Sequence, residues 1–129
     1  MSAPTQAVRT GTYFRDENRC VRCGRYDLLT YQHRIAVGMG GSKVKPTYDL
    51  GVTMCATDNA RAESDLQSEA LARGWKIRKW CKTPFLVPVF YAWADEWWLL
   101  GRAGGRVGPI DDEMAQALMR LVYGPEVAA

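Results

Sequence analysis

Cys20 and Cys23 are separated by two residues, and Gly24 follows them. That is the form of a zinc knuckle, in which the turn points both sulfurs at one metal and the glycine permits the left-handed conformation that closes it. His33, the chain's one histidine, lies between Gln32 and Arg34, just ahead of Gly38-Met39-Gly40-Gly41-Ser42. An imidazole titrates near neutral pH and suits proton transfer. The glycine run is too costly in backbone entropy for a strand interior or a helix, so it reads as a mobile loop beside the histidine. Cys55 comes next, with Asp58 and Asn59 shortly after it. In a reducing compartment such cysteines suit a metal better than a disulfide. Each residue also has an ordinary use. His33 could be a hydrogen-bonded core histidine, Asp58 and Asn59 could cap a helix, and Cys20, Cys23 and Cys81 could be buried thiols.

Such residues work only on a frame that brings them together. Residues 1–12 are small and polar, contain Pro4 and Gly11, and show no periodicity, which predicts a flexible arm. Leu28 to Ile35 reads as an extended run. Residues 49–55 have the β-branched content of a second strand, with Gly51 as its weak point, and Cys55 closes this hairpin against the knuckle. From Asp58 to about Arg73, the side chains of Ala62, Leu66, Ala70 and Leu71 fall on one helical face. Thr57 or Asp58 can cap its start, and Gly74 stops it. The predicted order is knuckle, strand, loop, strand, helix. Trp75 to Trp80 then alternates bulky and basic residues. Pro84 to Tyr91 and Trp97 to Leu100 read as an accessory hairpin turning at Ala94-Asp95-Glu96. Asp111-Asp112-Glu113 opens a last helix with an apolar stripe of Met114, Ala117, Leu118, Leu121 and Val122, ended by Gly124-Pro125.

Composition sets the outer limits. A chain of 129 residues with 47% hydrophobic and 24% charged residues is long enough for one compact domain and is not disordered in composition. Neither a signal peptide nor an apolar run of roughly 20 residues is present, so a cytoplasmic protein is expected. The net charge of +3 is unevenly spread. Residues 1–45 carry eight Lys or Arg against three acids, and residues 83–129 carry three against six. The basic end, which includes Lys43 and Lys45, is the expected face for a polyanion. Lys76, Arg78, Lys79 and Lys82, interleaved with Trp75 and Trp80, could grip a phosphate backbone or equally protect an exposed edge strand.

Taken together, Cys20-x-x-Cys23-Gly24, Gln32-His33-Arg34, the 38–42 loop, Cys55-x-x-Asp58-Asn59 and Glu63-Ser64 resemble the small HNH endonucleases of actinobacterial phages. The similarity continues through Gly74-Trp75, Val87-Pro88-Val89 and Trp97 to Leu99, so it spans about residues 18–110. The resemblance implies an α+β fold: a ββα-metal core (HNH, or His-Me finger) with a zinc knuckle over 13–82. A C-terminal β-hairpin and helix over 83–129 would extend the same compact domain.

The implied activity is hydrolysis of DNA phosphodiesters in a host bacterium's cytosol. It would use catalytic Mg2+ or Mn2+ beside a structural Zn2+. In-line hydrolysis needs an unprotonated base for the attacking water and a metal for the charge that develops on the phosphate. His33 matches the general base, and Gln32 and Asn59 match the positions that contact the catalytic metal. Arg34 and Arg61 are near enough in sequence to steady the phosphate. Cys20, Cys23, Cys55 and Asp58 match the zinc ligands, with Cys81 as a substitute for Asp58 and loss of the zinc as a further outcome. The middle Asn of the family falls near Leu50, where only Asp49 could stand in. Gln32 and Asn59 are neutral, whereas magnesium prefers charged oxygen ligands. An alternative therefore accompanies the nuclease: a catalytically degenerate HNH scaffold that binds DNA or a phage or host protein.

Overall fold

The computed structural model describes residues 2–35 and 44–124; the glycine run at 38–42 and Lys43 lie outside them. The chain is mixed α+β, with helices packed around two small antiparallel sheets.

The first helix, α1 (Gln6–Arg15), occupies most of the stretch where an arm was expected. Thr5 caps it by accepting from the Val8 N–H at 3.1 Å. Its buried residues are Thr12 and Arg15, with Asp16 just beyond, so this helix has no apolar stripe for periodicity to reveal. Arg15 reaches the carbonyls of Tyr48 and Gly51 at 2.8 Å each, and Asp16 accepts from the Thr53 N–H at 2.9 Å and the Tyr91 hydroxyl at 2.5 Å. These charged groups are buried but fully bonded, which is the condition for tolerating them inside. Thus α1 is fastened to the hairpin by polar bonds.

Strands β1 (Leu29–His33) and β2 (Gly51–Cys55) pair antiparallel, with Leu29 opposite Cys55 and His33 opposite Gly51. A tight helical turn, Tyr48–Leu50, leads into β2. The helix expected from Asp58 to about Arg73 is two helices, α2 (Ala56–Arg61) and α3 (Gln67–Ala72). Between them the Ser64 hydroxyl lies 3.4 Å from the Arg61 carbonyl and Asp65 pairs with the Arg61 guanidinium, local bonds that compete with continuing the helix. Ala62, Leu66 and Ala70 are nonetheless buried, as the stripe predicts. Gly74 ends α3 at φ 78°, and a Cβ there would lie 1.8 Å from the Pro88 carbonyl oxygen, so only glycine fits.

Beyond Gly74 the chain forms no long edge strand. Trp75 and Ile77 are buried, and Ile77 makes one isolated parallel bridge to Ile35. Strands β3 (Val89–Tyr91), β4 (Glu96–Leu100) and β5 (Arg106–Ile110) then form a three-stranded sheet in that order. The hairpin was expected; β5 was not, because Gly108 and Pro109 argue against a strand. Helix α4 (Asp112–Tyr123) starts on Asp111, which accepts from the Met114 N–H at 2.7 Å, and ends at Gly124.

The apolar stripe expected on α4 is only partly inward, Leu118 and Val122 being half-buried and Val122 packed on the cluster of Phe90 and Trp97. Ala115, Met119 and Tyr123 face inward, while Met114 is 52% and Leu121 73% exposed. Both sets recur at helical spacing, and packing against Trp97 and Phe90 selects the first. Alternation along β3 joins two apolar clusters. Val89 and Tyr91 pack with Val21, Val52, Met54 and Trp75, and Phe90 packs with Ile77, Trp97 and Met119. No helix among the described residues is long and apolar enough to cross a membrane.

Candidate metal centre

The knuckle is shaped by its backbone. The Gly24 N–H donates to the Cys20 carbonyl at 2.9 Å, and Gly24 takes φ 78°. The Val21 N–H donates to the Thr53 carbonyl at 2.9 Å, holding the turn against β2. At the other end of β2, Cys55 caps α2, its Sγ accepting from the Asp58 N–H at 3.4 Å.

These two constraints bring Cys20, Cys23, Cys55 and Asp58 together, with their ligand atoms all within 4.8 Å of one another. Cys20 Sγ lies 3.4 Å from Asp58 Oδ2, and Cys23 Sγ lies 3.9 Å from Cys55 Sγ. Tetrahedral zinc with bonds of about 2.3 Å to sulfur needs neighbouring ligands roughly 3.8 Å apart, so the donor set and its spacing fit that ion. Cys20, Cys55 and Asp58 are buried and Cys23 is exposed, leaving one open side.

Burial pushes the Cys20 thiol up to about 12 and raises that of Cys55. A bound dication would reverse this by favouring the thiolates, with release of protons. Three thiolates and a carboxylate would leave the centre negative. Arg22, inside the knuckle turn, offsets part of that charge: its Nη1 is 3.2 Å from Asp58 Oδ1 and its Nε 3.3 Å from Glu69. The sequence reading passed over Arg22, although a basic residue between two metal-binding cysteines is itself a signal. Cys81 packs in the second apolar cluster with Tyr123, so it is a core thiol and not a fourth ligand.

The residues assigned to catalysis are divided between the two faces of the hairpin. Strand alternation places Tyr31 and His33 toward α1, and Thr30 and Gln32 toward α2. His33 is half-buried, edge-on to Tyr31 at 5.0 Å, with Nε2 3.1 Å from the Ser2 carbonyl. A carbonyl only accepts, so Nε2 is the donor in this contact. Asn59 packs on the other face, its Nδ2 donating to Thr30 Oγ1 at 2.8 Å. Gln32 is 3% exposed, with Nε2 3.4 Å from the Trp75 carbonyl. Gln32 and Asn59 thus share a face, but Gln32 is in the core rather than open to a metal and solvent. Asp49 is buried and bonded to the Thr47 hydroxyl.

Arg34 corrects its expected role. It is fully buried, and its guanidinium donates to the carbonyls of Gly74, Asp49 and Val87 at 2.8, 2.6 and 2.7 Å. With no carboxylate on it, burial holds Arg34 down to about 10. It ties three chain segments and offers nothing to a phosphate. Lys76 is corrected likewise, being 7% exposed and paired with Glu63 at 2.9 Å. Arg61 remains at the surface but is paired with Asp65 at 2.8 Å. Lys79 and Lys45 are exposed, the latter 3.1 Å from the Ala3 carbonyl, and Arg78 is half-buried. The basic surface is therefore thinner than the sequence implies.

Among the described residues, no other group of three or more His, Cys, Asp or Glu side chains converges in this way. No family model matches the chain, and no curated protein or solved structure matches it.

Proposed function

We propose that the chain is an HNH-type ββα-metal module that acts on DNA, hydrolysing phosphodiesters with a divalent metal and with His33 as general base. One observation carries this reading: the Cys20, Cys23, Cys55 and Asp58 corner, which pins a knuckle, a hairpin and the first turn of a helix together in the order the resemblance requires. A structural zinc there would hold β2 and α2 at a fixed angle. His33 would take a proton through its imidazole, while Asn59, one residue after Asp58 on α2, would contribute to a divalent-metal site. The half-buried setting of His33 suits a base that must stay in contact with water.

A second reading is favoured by a specific observation. Gln32 lies in the core, and neither it nor Asn59 carries the negative charge that a hard cation prefers in its ligands. On that reading the module is a degenerate scaffold that binds DNA or a protein partner without cutting.

Plasmid nicking by the zinc-loaded protein with magnesium, manganese or EDTA, beside a gel-shift assay at low and high salt, separates the two. Metal-dependent nicking lost in His33→Ala supports the nuclease. Salt-sensitive binding without nicking selects the scaffold, since phosphate contacts weaken steeply as salt rises. Neither binding nor nicking on duplex, nicked or branched DNA rejects both DNA readings.

A further inference from the structure

Away from the hairpin, a cleft of about 480 Å³ opens between α3 and α4, with Arg78 and Trp97 in its walls. Two of its polar groups are left without acceptors. Arg78 Nε is buried and makes no hydrogen bond, and no ion pair to Arg78 exists among the described residues. The Tyr123 hydroxyl, on a residue only 7% exposed, is likewise buried and donates to no acceptor, with the Arg78 backbone N–H directed at its oxygen. A buried donor left unpaired costs about 1–3 kcal/mol, so two in one cleft mark a place where something else supplies the acceptor.

The charge of the walls says what that acceptor is. Arg73 also lines the cleft, its guanidinium lying on the Phe90 ring at 4.3 Å with no acid paired to it among the described residues. Against these two cations stands Asp112, whose Oδ1 already accepts from Trp97 Nε1 at 3.1 Å and lies 3.4 Å from Gln116 Nε2. The remaining lining is Leu71, Ala72 and Met119, with Ser68 as a further polar group. A concave site of a few hundred Å³ with an apolar body and few convergent polar groups is the usual form of a small-ligand pocket.

We propose that this cleft binds a small organic anion, with its carboxylate or phosphate on Arg78 and the Tyr123 hydroxyl and its apolar part against Leu71 and Met119. A guanidinium pairs with either oxyanion through parallel N–H bonds, so the two chemistries are tested side by side. The site is independent of the nuclease reading, because it uses none of the metal-centre residues and neither His33 nor Asn59.

The test is NMR titration of the zinc-loaded full chain, following the arginine Nε–H signals, with phenyl phosphate, benzoate, inorganic phosphate and benzylamine. The expected result is a saturable shift of the Arg78 signal with phenyl phosphate or benzoate, a weaker one with inorganic phosphate and none with benzylamine. Phenyl phosphate binding well ahead of benzoate assigns the site to phosphate esters, and the reverse assigns it to carboxylates. Arg78→Gln should weaken the better probe at least tenfold with an unchanged melting temperature. Tyr123→Phe should weaken it several-fold without loss of stability, an outcome that a merely structural hydroxyl would not give. Leu71→Trp, at a half-buried position of the lining, narrows the cleft and keeps both arginines, and should also abolish binding. The proposal is overturned if neither organic anion gives a saturable shift at millimolar concentration, or if Arg78→Gln binds as tightly as wild type. It is overturned as well if the Arg78 signal responds only to a DNA oligonucleotide, which would make the cleft wall part of a nucleic-acid surface.

Discussion

Arg22 Nη1 lies 3.2 Å from Asp58 Oδ1, while the other carboxylate oxygen is the one near Cys20, so one residue of the knuckle turn holds a candidate ligand supplied by α2. Groups that orient a ligand typically cost about 10–100-fold in metal affinity when removed. Protein purified without added zinc should contain about one zinc per chain. Arg22→Ala should lower the affinity within that range, Asp58→Ala should lower it further, and Asp58→Cys should retain the metal. Metal analysis and competition with a chromophoric chelator measure all three. If the wild type melts at one temperature with and without chelator, the cluster holds no structural ion.

Arg34 should behave as a structural residue. Truncating it leaves the carbonyls of Gly74, Asp49 and Val87 unpaired in the interior, and each unpaired buried group costs about 1–3 kcal/mol. Arg34→Met should therefore destabilise the fold by at least about 3 kcal/mol, and Arg34→Lys should recover little, since a single ammonium cannot span three carbonyls. Urea unfolding gives the number. A stable Arg34→Met protein whose only defect is weaker DNA binding would restore the phosphate-contact role.

Tyr31 offers a pH test. Its hydroxyl is buried without a partner, and its ring covers Gly51 so closely that a Cβ there would lie 2.1 Å from Tyr31 Cζ. Burial raises the phenol from its ordinary 10 to about 12. A group whose folded value is raised contributes stability fully below its unfolded value, and loses it as pH climbs through the folded one. Stability should thus fall between pH 10 and about 12, and Tyr31→Phe should flatten that fall while keeping or raising stability at neutral pH. Gly51→Ala should be strongly destabilising. Thermal melts across the alkaline range would contradict this if Tyr31→Phe declined as steeply as wild type.

What could be read in advance depended on whether a residue's partners were local. The Cys20 to Gly24 turn, the hairpin closed by Cys55 and the acidic start of the last helix were legible from local spacing, and the structure has them. Helix α1 escaped because its inner face is Thr12, Arg15 and Asp16, polar residues whose partners Tyr48, Thr53 and Tyr91 lie far along the chain. Arg34 and Lys76 misled for the same reason. A basic residue reads as surface chemistry until its partners are known, and these are three carbonyls for Arg34 and the Glu63 carboxylate for Lys76. The division of His33 from Asn59 was implicit in strand alternation, since Gln32 and His33 are neighbours and must face opposite ways. It became decisive only once α2 was seen on the Thr30 side.

That division sets different expectations for the two residues. Among the described residues the His33 side chain makes one bond, to the Ser2 carbonyl, and one ring contact, with Tyr31, so His33→Ala should leave folding and DNA affinity nearly unchanged. If it is the general base, cleavage should fall about 10²–10⁴-fold, the usual contribution of such a group. Asn59 carries structure as well, since its amide bonds Thr30 Oγ1 at 2.8 Å and lies 3.4 Å from the Tyr31 carbonyl. Asn59→Ala should cost about 1 kcal/mol of stability besides any catalytic loss. Only the catalytic part should be recovered by raising magnesium or manganese, because added metal refills a weakened site but cannot replace a bond between α2 and β1. Steady-state nicking at several metal concentrations, with melting temperatures of the same samples, separates the two contributions. A His33→Ala protein that nicks as fast as wild type would remove His33 from the chemistry.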